Sequence, residues 1–488
     1  MGYEEEIPEQ WKGGSTLTPI IQALDHYTAQ GRARWHTPGH KGRFSLPYLV
    51  SEWDVTEVRE LTPKSIGMDV IRQSEDLMAE SFGVLKSRYS VQGATLPVMA
   101  AVMAASPPRS RVVVDRIAHQ SVHSALVLGN LEPVWAYSSQ GPGAYPLPVD
   151  DKERARLIME SRPQAVVVTN PTYEGLSAPL VETHRVCREL NIALIVDEAH
   201  GTHFFGHEGF PATALIQGAD LVCHGAHKTE VSLTQTGILH INTSAGWIPR
   251  VQEAWDMLAT SSPSYLLLAS LDYLQYLRHH DNYHQSWNSL AKNMRKMWHT
   301  WENEGLFILQ SWWERQGGQA DPAKLTVVGD GQRLLDAMEP FGVEEKSDPL
   351  GVTLIVTPQD DTEVIARALE HCARTCSGGR LIGERRRLWP HARQVVSPYT
   401  AWHAEREWVP LSLASNRIAA RSLIPYPPGI PIVVPGERID SDVILWLEEN
   451  RAWYPRRTGD LRGVEKAFDP LSPGRGEEGL WVVKEAVS

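Results

Sequence analysis

Apolar and polar positions along the chain follow two periods. "SRVVVDR" (110–116), "QAVVVTN" (164–170), "IALIVDEAH" (192–200), "ADLVCHG" (219–225) and "GILHIN" (237–242) are short apolar runs, most of them rich in β-branched residues. Such continuous runs read as strands buried on both faces. "EPVWAY" (132–137) is a weaker strand. Between the runs, "SEDLMAESFG" (74–83), "TLPVMAAVMAA" (95–105), "HQSVHSALVLG" (119–129), "DKERARLIMES" (151–161) and "LVETHRVCREL" (180–190) carry the helical period. Strands alternating with helices predict an α/β domain with a mostly parallel sheet. Ligands of such sheets bind at the carboxyl ends of the strands, where Asp115, Asn170, Asp197 and His224 stand.

The pattern changes on either side. An amphipathic helix, "TPIIQALDHYTAQG" (18–31), precedes a loop, "RWHTPGHKGR" (34–43), broken by Pro38 and Gly39. Long helical stretches cover 266–280 and 289–305, and the strands "KLTVVG" (324–329) and "GVTLIVTP" (351–358) then flank a helix. The resulting division is a linker helix and loop over 1–45, a large domain over 46–305, a smaller α/β domain over 306–455, and a charged, loosely ordered tail over 456–488. "LIPYPPGIPIVVPGE" (423–437) is too proline-rich for a regular element, and "SDVILWLEENRAWY" (441–454) is an amphipathic helix. Trp298, Trp301, Trp312 and Trp313 read as core or interdomain packing.

Composition narrows the classes. At 488 residues the chain exceeds one core, since domains run about 100–200 residues. A net charge of −12 argues against a groove that tracks nucleic-acid phosphates. No apolar run is long enough to span a bilayer, and no signal-peptide pattern opens the chain. Cys187, Cys223, Cys372 and Cys376 lack paired spacing, which fits a reduced, cytoplasmic setting. Cys372 and Cys376 share a helical face and have no second pair for zinc. His200, His203, His207, His224 and His227 crowd together, but Gly201 and Gly206 break the helix that would align the first three, so no metal site is expected.

"DEAH" (197–200) fits two chemistries. A nucleic-acid-dependent ATPase would use it for magnesium, yet the chain has no Gly-x-x-x-x-Gly-Lys-Ser/Thr loop. A pyridoxal-phosphate enzyme would use the aspartate against the pyridine nitrogen. Such an enzyme also needs a lysine for the aldehyde, a glycine turn opening a helix for the phosphate, and an aromatic stacking group. Lys228, Gly93-Ala94-Thr95 and His119 meet those needs in order.

"HTPGHKG" (36–42), "DVTE" (54–57), "VDRIAHQSVH" (114–123), "NPTYEG" (170–175), "VDEAHGTHF" (196–204), "HKT" (227–229), "TSSPSY" (260–265) and "PYPPGIPIVVPGE" (425–437) resemble, in family order, the Orn/Lys/Arg decarboxylases. The resemblance implies the aspartate-aminotransferase-like fold (PLP fold type I), pyridoxal 5'-phosphate, and decarboxylation of lysine, arginine or ornithine. It is to the compact form, without the receiver-like N-terminal domain of larger members. It also implies a homodimer or higher homo-oligomer acting on a small amino acid. By position, Lys228 resembles the Schiff-base lysine, Asp197 the partner of the ring nitrogen, Ala199 the small residue beneath the ring and His119 the stacking imidazole, with His200 next to them. Thr95 and His227 resemble phosphate-side groups, and Ser261 or Ser262 would reach the phosphate of a neighbouring subunit. Glu57 and Glu437 are candidates for the substrate's distal cation.

Two positions depart from the family pattern. Gly225 stands where it usually has serine, and Ala94 where a hydroxyl is common, so two phosphate donors are expected to be missing. "SPYTAWHAE" (397–405) replaces the usual Pro-Arg-Glu. These departures keep open a weakly active or inactive homologue with a binding or regulatory role. Arg406, Arg417 and Arg421 keep open an aminotransferase or another lyase.

Overall fold

The computed structural model describes residues 29–41, 43, 54–55, 70–376, 389–450, 460–466 and 478–484. After β1 (Ala33–Trp35), the chain builds a seven-stranded sheet from β2 (Lys86–Ser90), β3 (Arg111–Asp115), β4 (Glu132–Ala136), β5 (Ala165–Thr169), β7 (Ala193–Asp197), β8 (Leu221–His224) and β9 (Gly237–Ile241), in the order β2-β9-β8-β7-β5-β3-β4. Pairing is parallel from β8 through β4, and β9 runs antiparallel to both its neighbours. Val112, Val114, Val167 and Ile195 pack on one face. Val113, Val166, Val168, Leu194 and Val196 pack on the other. This period of two explains why the runs are apolar throughout: both faces are covered.

Helix α1 (Val70–Phe82) leads into β2, and α2 (Thr95–Ala105), α3 (Gln120–Leu128), α4 (Asp151–Ser161) and α5 (Val181–Leu190) fill the crossovers. The one-turn α6 (Ala226–Thr229) follows β8, and α7 (Trp247–Leu258), α8 (Tyr265–Arg278) and α9 (Asp281–Asn303) complete the layers. β2 is absent from the sequence reading because "KSRYS" is polar. Its polar groups bond, Ser87 Oγ meeting His240 Nδ1 at 2.9 Å and Tyr89 Oη meeting Ser74 Oγ at 2.9 Å, while the Tyr89 ring packs in the core.

Beyond α9, β10 (Phe307–Ile308), β12 (Lys324–Val328), β14 (Lys346–Asp348) and β15 (Gly351–Ile355) form an antiparallel sheet in the order β10-β12-β15-β14. Its core includes Trp35, Trp287 and Trp298, and β1 pairs with β13 (Gly342–Glu344). Short β6 (Leu176–Ser177) pairs with β11 (Gln319–Ala320) and ties this sheet to the large one. A separate buried cluster from Ala392 to Val482 forms the C-terminal part. The tail is not loose where it is described. β16 (Arg406–Pro410) pairs with β20 (Glu478–Val483), β20 with β19 (Glu465–Lys466), and β17 (Ile424–Tyr426) with β18 (Asp460–Arg462). Charge and Gly/Pro content hid these strands, whose apolar positions Leu461, Leu480 and Val482 are buried.

Candidate active site

Asp197 is the last residue of β7, level with Thr169 of β5 and Cys223 of β8. Its Oδ1 accepts the Ala199 N–H at 3.1 Å. Burial pushes its carboxyl up, against the pull of Lys228. Lys228 lies on α6, with Nζ 2.9 Å from His200 Nε2. Burial lowers its amine, while Asp197 and Glu345 oppose that. The strand end and the turn are so close that Gly225 N–H donates to the Ala199 carbonyl at 3.3 Å. A β-carbon at 225 would sit 2.8 Å from that oxygen and 3.1 Å from Lys228 Cδ. Gly225 has an ordinary φ of −99° and is absent from the cavity wall. It is therefore a close-approach glycine, at which a serine would require the Ala199 carbonyl or the Lys228 stem to shift.

Gly93 turns the chain with φ +63°, its N–H donating to Gln235 O at 2.6 Å and its carbonyl accepting from Ser90 Oγ at 2.8 Å. The turn rests directly on β9, since a β-carbon at Gly237 would lie 2.5 Å from Gly93 O. Ala94 caps α2 without a side-chain bond, which leaves first-turn N–H groups for an anion. His227 Nδ1 is 2.8 Å from the Thr236 carbonyl and so carries the hydrogen. Burial keeps this ring neutral at ordinary pH.

His119 caps α3. Ser121 N–H donates to its Nδ1 at 3.2 Å, so the hydrogen of the neutral ring is on Nε2. Burial, then Lys228 and Arg462, bring its pKa down to about 3. Gly429 lies against the ring at φ +81°, and a β-carbon there would be 2.9 Å from Cδ2.

Gly93, Ala94, Thr95, His119, Asp197, Ala199, His200, His227 and Lys228 all line one cavity at the carboxyl ends of the strands. Tyr173 and Glu174 of "NPTYEG" join them, as do Tyr426, Pro428 and Ile430 from the proline-rich loop. Asn170 staples its loop, accepting Ser177 Oγ at 3.0 Å and Ala178 N–H at 3.1 Å. Gly39 of "HTPGHKG" buttresses the lysine turn: its N–H donates to His227 O at 2.9 Å, and a β-carbon would lie 2.5 Å from Thr229 C.

Other candidates lie elsewhere. Glu437 does not reach the cavity. Fully buried, it accepts from Arg116 Nη2 at 2.9 Å and Val434 N–H at 2.9 Å. Arg116 also donates to the Pro431 and Ile432 carbonyls, so the pair docks the proline-rich loop. That corrects Glu437 as a substrate contact. Glu57 lies outside the described residues. Ser261 and Ser262 are exposed and off the cavity, but Thr260 N–H donates to Gln92 Oε1 at 3.2 Å, beside the Gly93 turn. Asp115 pairs with Arg154 at 2.9 Å, and His224 meets Glu198 at 2.8 Å on the other side of β7. Arg417 and Arg421 pair with Glu407 and Glu465, and Arg406 stacks on Trp481, so none lines the cavity. Lys324 and Glu345 escaped the sequence reading. A lysine opening the otherwise apolar "KLTVV" was the available signal for the first.

The family model described as Orn/Lys/Arg decarboxylase, major domain, matches residues 18–316, and that of its C-terminal domain matches 390–470. The chain is 30% identical to an arginine decarboxylase of Halalkalibacterium halodurans, over 90% of this chain and 94% of that one. It is 29% identical to the arginine decarboxylase of Bacillus subtilis, over 89% and 93%. Among solved structures, lysine decarboxylase A from Pseudomonas aeruginosa superposes with a TM-score of 0.73 at 19% identity, covering 96% of this chain and 80% of that one, a likeness of fold.

Proposed function

Because the chain belongs to the Orn/Lys/Arg decarboxylase family, we propose that its cavity holds pyridoxal phosphate and that it decarboxylates arginine. The enzyme class, a PLP-dependent decarboxylase of basic amino acids, follows from family membership. The choice of arginine draws on the names of the relatives that match nearly the whole chain. The observation that carries the cofactor reading is the convergence of Lys228, Asp197, His119 and the Gly93 turn on one cavity.

The residues fit the group. Lys228 would hold its aldehyde carbon and Asp197 its ring nitrogen. His119, neutral and capped, would stack on the ring, and Ala199 would leave room beneath it. The free first-turn N–H groups of α2, with the Thr95 hydroxyl, would hold the phosphate, and His227, whose one N–H goes to the Thr236 carbonyl, would stand beside it. When bound, pyridoxal phosphate supplies an electron-poor ring that takes the electron pair left by departing carbon dioxide.

The remaining chemistry belongs to the chain. Ile117, Ala199, Pro428 and Ile430 make part of the wall apolar. A water-poor wall favours loss of a charged carboxylate as a neutral gas. A distal cation entering such a cavity needs a carboxylate, because an unpaired buried charge is costly. Glu174, unlike Glu437, lines the cavity; its Oε1 is 3.0 Å from Lys346 Nζ, but Lys346 is shared with Asp348 at 2.9 Å, which leaves Glu174 charge to meet that cation. Glu174→Gln is expected to raise KM for arginine about tenfold or more, as for loss of a charged hydrogen bond. An unchanged KM removes Glu174 from the role.

The exposed turn carrying Ser261 and Ser262, next to the Gly93 turn, supports a homodimer in which these serines face the partner's phosphate. The direct test of function is carbon dioxide release from arginine, lysine and ornithine by the PLP-loaded protein. Arginine should be fastest. Faster release from lysine overturns the substrate, and release from none overturns the reaction.

A further inference from the structure

His200 joins two lysines. Its Nε2 is 2.9 Å from Lys228 Nζ, and its Nδ1 is 2.9 Å from Lys324 Nζ. Lys324 opens β12 and is fully buried. Its stem passes Gly175, where a β-carbon would lie 2.6 Å from Lys324 Cγ. The His200 ring is held edge-on by Tyr173, centroids 4.8 Å apart.

Hydrogen-bond accounting restricts the charges. A neutral imidazole has one N–H donor and one acceptor nitrogen, and an ammonium only donates. The lysine facing the acceptor nitrogen can be charged, but the one facing the N–H must be a free amine. Burial first, and then the neighbouring lysines, hold His200 far below its ordinary pKa, so the ring stays neutral. The bridge therefore holds at most one ammonium, and the lysine facing the N–H is a free amine.

We propose that Lys324, acting through His200, accepts the proton that Lys228 must lose before its amine can attack an aldehyde. The proposal rests on Lys228 as the cofactor lysine. Lys228 gives a proton to His200 Nε2, and His200 gives its Nδ1 proton to the lone pair of Lys324. Lys228 ends as a free amine, the ring stays neutral with its tautomer reversed, and Lys324 becomes the ammonium. No other reactant is needed.

The surroundings suit both ends. Burial, aided by Lys228, brings the Lys324 pKa down to about 8, so a fraction of it is free amine near neutral pH and can take the proton, while Glu345, Asp321 and Glu174 favour the ammonium that results. The Tyr173 ring lies 5.6 Å from its Nζ. Lys228 faces Asp197, Glu345 and His200. Lys324 is thus a positioning residue: it touches His200, not the cavity.

The test is the rate at which apoprotein mixed with pyridoxal phosphate develops the visible absorbance of a lysine imine, followed against pH. In Lys324→Met and in His200→Gln the acid limb should move up by about one unit, a loss of about tenfold at neutral pH that disappears in alkali. The double variant should shift no further than either single one. Methionine fills the space of the lysine and removes its amine, and the glutamine variant tests the same link from the other end without touching the carboxylates near Lys324. An unmoved limb in both single variants overturns the relay. So does an equal loss at every pH, which is the mark of a merely structural role. Borohydride reduction of the unaltered protein, with label on a lysine other than Lys228, overturns the Lys228 assignment instead.

Discussion

At the scale of single residues, close approach decides what stands around the lysine. Gly225 and Gly39 both lie where a β-carbon would enter backbone, at 2.8 Å from Ala199 O and 2.5 Å from Thr229 C. Gly225→Ser should therefore not tighten cofactor binding. Overpacking of this kind costs about 1–3 kcal/mol. The expected outcome is a lower melting temperature and weaker binding in a PLP titration of apoprotein, because the Lys228 stem or the Ala199 carbonyl must move. Tighter binding would restore Gly225 as a missing donor. The neighbourhoods of Asp197, His119 and Lys228 were legible in the sequence because each follows or ends an apolar run. Lys324 was not, since nothing local says that a lysine 96 residues beyond Lys228 meets the same histidine.

Among elements, the proline-rich loop depends on one buried pair. Arg116 follows β3 and Glu437 ends the loop, with side chains 4% and 0% exposed. Removing one partner of such a pair costs about 3–5 kcal/mol. Glu437→Ala should lower the denaturant midpoint accordingly, with the loss of activity following the loss of fold. A variant of unchanged stability whose only defect is a raised KM would return Glu437 to the substrate. Both strands of the pattern that pack on two faces and helices with a clear period were readable. Strands β2, β18 and β19 were not: their residues alternate weakly, and their pairing with other strands defines them.

For the whole molecule, buried histidines set an acid limit. Burial brings His119, His207 and His224 each to about 3. Their folded pKa values lie below the unfolded value, so the unfolded chain binds more protons between about 6.5 and 3. Stability is present above that window and falls as pH drops through it, by about 1.4 kcal/mol per unit for each fully shifted group. Glu198, raised by burial to about 8, works in the opposite sense between its unfolded pKa and 8. The apoprotein's urea midpoint should fall between pH 7 and 5, and a flat profile would mean that these rings are not buried neutral. Sedimentation should show a dimer. Mixing Lys228→Ala chains with Ser262→Ala chains should recover activity if the serine serves the partner's site, and no recovery would place each site within one chain. The arrangement as a whole rests on one claim, that the Gly93 turn, His119, Asp197 and Lys228 hold a single cofactor. A crystal structure of the protein with pyridoxal phosphate tests it most directly. The account predicts the phosphate at the Gly93 turn, His119 over the ring, Asp197 at the ring nitrogen and continuous density to Lys228 Nζ; density joined to another lysine, or phosphate bound away from α2, would contradict it.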